Sequence, residues 1–537
     1  MQFLEKRSIV HPLLFALVPV IFLFSNNIHE VTFIDFLLPS LIILFSVFLI
    51  WVFFSIISKN KIKSALALSL SIFLFFSYGH IFNFLNSSIE YGLDPSHHKY
   101  LLGLLFLPFL IGVIYLIKTN RKFDNLTIIV NVIAIALISI SAINIGTFYF
   151  EQNNIQNNIQ SNNNENFEKS SLNSITTEEL PDVYYIILDS YPRADILTKY
   201  FNYDNSPFIN FLEEKGFFVT TESHTNYPRS YLSIASSLNM EYVDYFTDEV
   251  GDNRIDKETR PDSHPAYNLV THGEVIKKFK SYGYSFINFD SSFSITSNLY
   301  SAKLNLCGKN EFLINEFTIQ LIGMTALKPF YVYLLNDLSD VILCTFSTLP
   351  EVKENTSEPI FVLAHIMIPH PPFIFGPNGE SISPDSLDLF SPTHWFDKES
   401  AINQITFTNK QTQELISKIF SHSKNSSIII IQGEYGSAFT AYSAACMKDG
   451  KLGCDYRNLT NENLNERMSN FGAYYLPSND YNLFYDSMTP VNTFRIIFNS
   501  YFDDEYPILE DKMYWSVTTA PYQFVEMTDK LGTDFKN

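Results

Sequence analysis

Five apolar stretches crowd the first 150 residues of this 537-residue chain, and the cations between them fall almost entirely in alternate loops. The stretches run Val10 to Ser25, Phe33 to Ile57, Ser64 to Leu85, Tyr100 to Ile117 and Thr127 to Phe148. Their lengths bracket the roughly 17 to 25 residues of a membrane-spanning helix, the first being the shortest. Lys6 and Arg7 precede the first stretch, Lys59, Lys61 and Lys63 follow the second, and Lys118, Arg121 and Lys122 follow the fourth, whereas the intervening loops hold only Lys99. Loops rich in Lys and Arg stay in the cytoplasm. Five crossings of the cell (inner) membrane from a cytoplasmic N-terminus then place everything after Phe148 outside the cytoplasm, in a periplasmic or extracellular space. A cleaved signal peptide is the rival reading of the first stretch, but Met1 to Ser25 lacks a clear small-residue cleavage site. The membrane stretches hold few ionisable residues beyond Asp35 and His80 near span ends, which argues against a transporter.

Composition divides the rest. Gln152 to Leu180 is dominated by Asn, Gln, Ser and Glu, with almost nothing to bury, and reads as a solvated linker. The expected organisation is a membrane region over 1–150, a linker over 151–180 and an extracytoplasmic domain over 181–537. Net charge is −20 and no basic run follows the last apolar stretch, so nucleic acid is excluded as a partner. The bilayer is the partner of the N-terminal helices. Cys307, Cys344, Cys446 and Cys454 all lie beyond residue 180, in an oxidising compartment by this topology. Two disulfides are expected, and spacing leaves all three connectivities open.

From Pro181 onward strands alternate with helices. Val183 to Leu188, Tyr284 to Phe289, Ile360 to Ile366, Ser427 to Ile431 and Phe471 to Leu476 are short apolar runs rich in β-branched and aromatic residues, which predicts buried parallel strands. Ser206 to Lys215, Ala266 to Tyr282, Ser400 to His422 and Val491 to Tyr501 carry helical spacing. The fold class is α/β, with helices on both faces of a largely parallel sheet. Phe312 to Phe346 is too polar at intervals to be another span.

In such folds ligands gather beyond the carboxyl ends of the strands. Asp189 follows the first run, His365 and His370 fall at or after the third, and Glu434 after the fourth, a set of oxygen and imidazole donors suited to a divalent metal. Singly, each is more often a helix cap or a solvated loop residue. Pro228 precedes a stretch in which Leu232, Ala235 and Leu238 recur at helical spacing, so Ser230 is expected as an N-cap. The same position offers a hydroxyl and free amides to an anion, which Arg229 would also grip.

The series PDVYYIILDSY, NYPRSYLSIASSLNM, LAHIMIPHPPF, SIIIIQGEYGS, GAYYLPS and SMTPVNTFRIIFNSYF resembles, in order and spacing, the membrane-anchored sulfatase-like branch of the alkaline phosphatase superfamily, which includes lipoteichoic acid synthases and phosphoethanolamine transferases. The resemblance covers Pro181 to Trp515. It implies an alkaline-phosphatase-like α/β/α domain and a two-step transfer, in which a metal-bound Ser or Thr attacks a phosphodiester and passes the group to water or a second acceptor. It further implies Asp189 as a metal ligand, Ser230 as nucleophile and ligand, and His370 and His365 as contacts to the phosphate or leaving oxygen. Glu434 and Tyr435 stand where the family has an Asp-His ligand pair. Formylglycine-dependent sulfate hydrolysis is not implied, because Ser230 is followed by Tyr-Leu-Ser.

The family pattern Gly-Asp-His-Gly is here Gly433-Glu434-Tyr435-Gly436. Glu adds a methylene, in sites that tolerate distance errors of only about 0.2 Å, and a phenol must lose a proton to ligate well. A single divalent ion is implied, with Mg²⁺ or Mn²⁺ less disturbed by this exchange than Zn²⁺. Two readings follow: a hydrolase or transferase acting on an anionic phosphoester of an envelope lipid or glycan, and a catalytically degenerate relative with a binding or assembly role in the envelope.

Overall fold

The computed structural model describes residues 9–26, 28, 31, 33–87, 98–162, 180–247, 264–291, 293, 295–297, 299–308, 316–330, 332–382, 397–422, 427–439, 447–448, 451–452, 460–517 and 520–530. They form two compact units, one of residues 1–168 with 310–336 and one of residues 169–309 with 337–537.

The first unit is helical: α1 His11–Asn26, α2 Phe33–Ser58, α3 Lys61–Ser87, α4 His98–Lys118 and α5 Asp124–Asn162. Asp35–Ser58, Lys61–Phe82, His98–Leu116 and Asp124–Thr147 are long and apolar enough to cross a membrane. The first expected stretch forms α1, an apolar helix of 16 residues, about 24 Å long at 1.5 Å per residue and so shorter than these four. It belongs to the interior of the bundle. Ala16, Val20 and Phe24 are buried with Leu68, Ile72 and Phe76 of α3. Its first turn is held by polar contacts, His11 Nδ1 to Ser69 Oγ at 2.6 Å and the His11 N–H to Asn131 Oδ1 at 3.0 Å. α5 continues through Asn162, so the first dozen residues of the expected linker extend the last spanning helix.

The second unit is built on a sheet whose strands are β1 Asp182–Leu188, β2 Phe218–Val219, β3 Ser285–Phe289, β4 Leu304–Leu306, β5 Ile360–Ile366, β6 Ser427–Gln432 and β9 Gly472–Tyr475. Small ribbons, β7 Met447–Lys448 with β8 Lys451–Leu452 and β10 Tyr514–Val517 with β11 Ala520–Glu526, stand apart from it. The order across the sheet is β2-β9-β6-β1-β5-β3-β4. β6, β1, β5, β3 and β4 run parallel, whereas β9 is antiparallel to both β6 and β2. The parallel direction expected for Phe471 to Leu476 is therefore wrong. A strand buried on both faces is apolar throughout and reads the same in either direction.

Strand parity sorts the core. Val183, Tyr185 and Ile187 of β1, Phe361 and Leu363 of β5, and Ile428 and Ile430 of β6 face one layer, which holds the helices Ser230–Asn239, His264–Thr271, Glu274–Ser281 and Pro490–Tyr501. Tyr184, Ile186 and Leu188, with Val362 and Ala364, and Ile429 and Ile431, face the other, which holds Ser206–Glu214 and Lys398–His422. Each fully buried Ile or Leu contributes about 1.5–3 kcal/mol relative to exposure, so both layers are stabilised. The expected helix Ala266 to Tyr282 is two. Gly273, with non-helical φ −50° and ψ 139°, is the second helix's N-cap, and a Cβ there would lie 3.0 Å from the Leu238 carbonyl oxygen.

Cys307 and Cys344 are disulfide-bonded, 37 residues apart; Cys446 and Cys454 lie outside the described residues. Replacing both Cys307 and Cys344 by Ser is expected to lower stability by about 2–4 kcal/mol, because the closed loop restricts the unfolded chain. Thermal unfolding of the full chain without reductant checks this: the midpoint of the double variant should lie below that of the native protein.

Candidate metal centre and active site

β1 lies between β5 and β6, in register through Ile187 with His365 on one side and Gln432 on the other. Residues at three adjacent carboxyl ends therefore converge. Asp189 follows β1 directly, its N–H donating to the Ile366 carbonyl at 2.9 Å. His365 shares the parity of Phe361 and Leu363 and faces the layer that contains helix Ser230–Asn239. Glu434 follows β6, its Oε2 accepting the Ser190 N–H at 3.1 Å, while its own carbonyl accepts the hydroxyls of Ser233 and Thr225. One ligand atom from each of Asp189, His365 and Glu434 lies within 4.8 Å of the others, and all three residues are buried.

Ser230 joins them, but not as an N-cap. Arg229 occupies that position, in extended conformation, and Ser230 is the first helical residue. Its Oγ is thereby turned from the helix amides towards the sheet, 3.3 Å from Glu434 Oε1 and 3.3 Å from the Tyr435 hydroxyl. At 8% exposure against 1% for Asp189 and Glu434, Ser230 is the group of this cluster nearest to solvent. The Arg229 Nη2 donates to the Ser516 carbonyl at 3.4 Å. His370 is half-buried, and its N–H donates to the Asp189 carbonyl at 3.0 Å. Its loop is fixed by buried Gln404, which donates to the His370 carbonyl and accepts the Ile374 N–H.

Burial pushes the Glu434 carboxyl well above its usual range, and the charge of Asp189 pushes it further. Burial alone would also raise Asp189, but His370, the hydrogen bond with Glu434, His365 and the Tyr435 hydroxyl together hold it below the carboxylate range. The pair thus holds one proton, on Glu434, because two adjacent buried carboxylates resist simultaneous ionisation. Tyr435 donates to Asp189 Oδ1 at 3.2 Å, and burial beside Asp189 keeps its phenol protonated well above the usual range. It acts here as a hydrogen-bond donor rather than as an anionic oxygen.

Burial lowers His365 to about 4, so its imidazole is neutral. Nδ1 lies 2.9 Å from Thr296 Oγ1, and the tautomer that donates this proton leaves a lone pair on Nε2. That atom is buried without a hydrogen-bond partner among the described residues, 3.9 Å from Asp189 Oδ2. An orphaned imidazole nitrogen beside two carboxylates that share a proton is a donor set that fits one divalent cation.

Two contributors carry no sequence signal. Thr296 orients His365 from 69 residues away. Arg467, buried, donates to the Pro228 carbonyl through Nε and Nη2 at 3.1 and 2.7 Å, and through Nη1 to the Gly436 carbonyl at 3.3 Å. Its guanidinium carbon lies 3.5 Å from the centre of the Tyr435 ring. It ties the backbone before Ser230 to the backbone after Tyr435.

No protein-family model matches the chain, and no curated protein matches it. Among solved structures it is similar to the C-terminal periplasmic domain of EptC from Escherichia coli in complex with Zn, at 12% identity over 66% of this chain and 94% of that one, with a TM-score of 0.41. It is also similar to the integral membrane protein lipooligosaccharide phosphoethanolamine transferase A from Neisseria meningitidis, at 10% identity over 91% and 95% of the two chains, with a TM-score of 0.39. A 2-O GAG sulfatase is a third, at 11% identity over 61% and 71%, with a TM-score of 0.35.

Arg467→Leu is expected to destabilise the protein by about 2–4 kcal/mol, since it strands the buried Pro228 and Gly436 carbonyls. Tyr435→Phe, which deletes one hydroxyl, should cost about 1 kcal/mol. Denaturant unfolding of the full chain in detergent compares them, and equal losses would contradict the clamping geometry.

Proposed function

We propose that this chain is a membrane-anchored hydrolase or transferase that acts outside the cytoplasm on an anionic phosphoester of an envelope lipid or glycan. Ser230 is the nucleophile, and Asp189, Glu434 and His365 hold one divalent cation, Mn²⁺, Mg²⁺ or Zn²⁺. The observation that carries this reading is the convergence of Asp189, His365 and Glu434 within 4.8 Å, with the Ser230 hydroxyl 3.3 Å from Glu434. The alternation of cationic loops along the spanning helices supports the outward placement of the α/β unit.

Bound in this set, the cation would supply charge stabilisation to the serine oxygen and to the phosphoryl oxygens. Ser230, the first residue of its helix, turns its oxygen towards Glu434 rather than towards the helix amides. Its proton has an acceptor in Glu434 Oε1 once that carboxyl is ionised. Serine oxygen bonds to phosphorus as the alcohol leaves, and that alcohol would take its proton from half-buried His370. Water or a second acceptor would then bond to phosphorus, giving its proton to His370, as the Ser230 oxygen leaves and takes its proton back from Glu434. Tyr435 and Thr296 fix the orientations of Asp189 and His365.

One observation favours the second reading, a binding protein without catalysis. Ser230, Glu434, Tyr435 and Asp189 already hydrogen-bond to one another and to Ser190, which satisfies much of the cluster from within.

The readings separate on two measurements with the full chain in detergent. Calorimetry is expected to show about one divalent ion bound per chain, lost in Asp189→Asn. Ser230→Ala is expected to reduce release from a chromogenic phosphodiester at least 100-fold. No metal uptake at millimolar Mn²⁺ or Zn²⁺, or activity that appears only in the Glu434→Asp, Tyr435→His double variant, would establish the binding reading instead.

A further inference from the structure

Residues 316–330 are flanked in sequence by the α/β unit, yet they belong to the helical one. Phe317 and Leu321, from helix Glu316–Gly323, are buried in the same cluster as Ala16 and Val20 of α1 and Leu68 and Ile72 of α3, with Met324 packed against it. The chain then leaves helical geometry and pairs with α3 through its backbone. The Gly79 N–H donates to the Met324 carbonyl and the Ala326 N–H to the Phe75 carbonyl, each at 2.9 Å. In an uninterrupted helix the Gly79 N–H and the Phe75 C=O are each other's partners; here each engages the incoming strand of backbone. The approach requires glycine, because a Cβ at position 79 would lie 2.1 Å from the Gly323 oxygen and 2.6 Å from Met324 Cα.

The depth of this contact follows from helix length. Gly79 lies 18 residues along α3 from Lys61, about 27 Å at 1.5 Å per residue, and the hydrocarbon core is roughly 30 Å thick. With Lys61 at one membrane boundary, residues 324–326 sit close to the other. Irregular backbone is tolerated there only where protein satisfies its polar groups, as the paired 2.9 Å bonds do. Leu327 and Phe330, immediately beyond, are 45% and 60% exposed on the same apolar bundle.

We propose that residues 316–330 are a membrane-seated clasp, in which Leu327 and Phe330 contact phospholipid at the boundary between headgroups and acyl chains. The partner is the bilayer itself. That this is the outer leaflet rests on the outward placement of the α/β unit given above; the lipid contact does not.

The test uses the full chain in nanodiscs of phosphatidylethanolamine and phosphatidylglycerol, with a nitroxide at Leu327→Cys or Phe330→Cys, unsubstituted protein as the labelling blank, and exposed Asn482→Cys as the aqueous reference. Collision with oxygen relative to a water-soluble nickel chelate is expected to be at least threefold higher at 327 and 330 than at 482. A ratio equal to that at 482 places these residues in water and overturns the proposal. Low collision with both reagents means protein covers them, a second copy included, and also overturns it. Gly79→Leu should lower the ratio towards the aqueous value by expelling residues 324–326; an unchanged ratio in folded protein overturns the docking. Should that variant not fold, the labels in the native background decide alone. The readout involves neither Ser230 nor a cation, so its failure leaves the phosphoester reading standing, and the reverse.

Discussion

Asp189 and Glu434 face each other where burial makes two negative charges untenable, and the α/β unit is arranged around that conflict. β1 carries Asp189 at the centre of the sheet, β6 carries Glu434 beside it, and the parallel register with β5 adds a neutral imidazole rather than a third charge. One proton on Glu434 relieves the repulsion, and the Ser190 N–H, the Ser230 hydroxyl and the Tyr435 phenol complete the hydrogen bonding. A divalent cation would relieve the same repulsion by another route, so proton and metal are alternative solutions to one electrostatic problem. The surrounding backbone contacts, above all those of Arg467 to Pro228 and Gly436, hold the pieces at the separation that creates it.

The position of Ser230 shows how much depends on a single residue of helix phase. As an N-cap its hydroxyl would accept a bond from an amide of its own helix. As the first helical residue it points to Glu434 and Tyr435 instead, while extended Arg229 takes the cap position and reaches Ser516.

Legibility in the sequence followed the physics of each signal. The apolar runs marked every strand of the parallel core except three-residue β4, because burial on both faces leaves no polar positions to confuse the pattern. The same uniformity concealed the reversed direction of β9, and two-residue β2 is too short to carry a pattern. Asp189 and Glu434 were legible as polar residues ending apolar runs. His365 was visible too, but its parity with Phe361 and Leu363 is what turns it towards Asp189 instead of outward. Thr296 and Arg467 were not legible, since a hydroxyl or guanidinium that reaches its partner across dozens of residues leaves no local mark. Nor was the destination of residues 316–330: their mixture of Phe, Ile and Leu with Thr and Gln fits a surface helix as well as one inserted beside α3.

That insertion has a consequence for how the anchor is made. Phe317 and Leu321 complete the cluster that encloses α1 and α3, so the bundle lacks part of its interior until more than half of the polypeptide has been synthesised. During that interval the Gly79 turn faces lipid without Met324 and Ala326 against it. Biogenesis of the helical unit and of the α/β unit is therefore interleaved rather than sequential, and a chain truncated in the polar segment after α5 would carry its spanning helices into the bilayer with an unfilled gap between them.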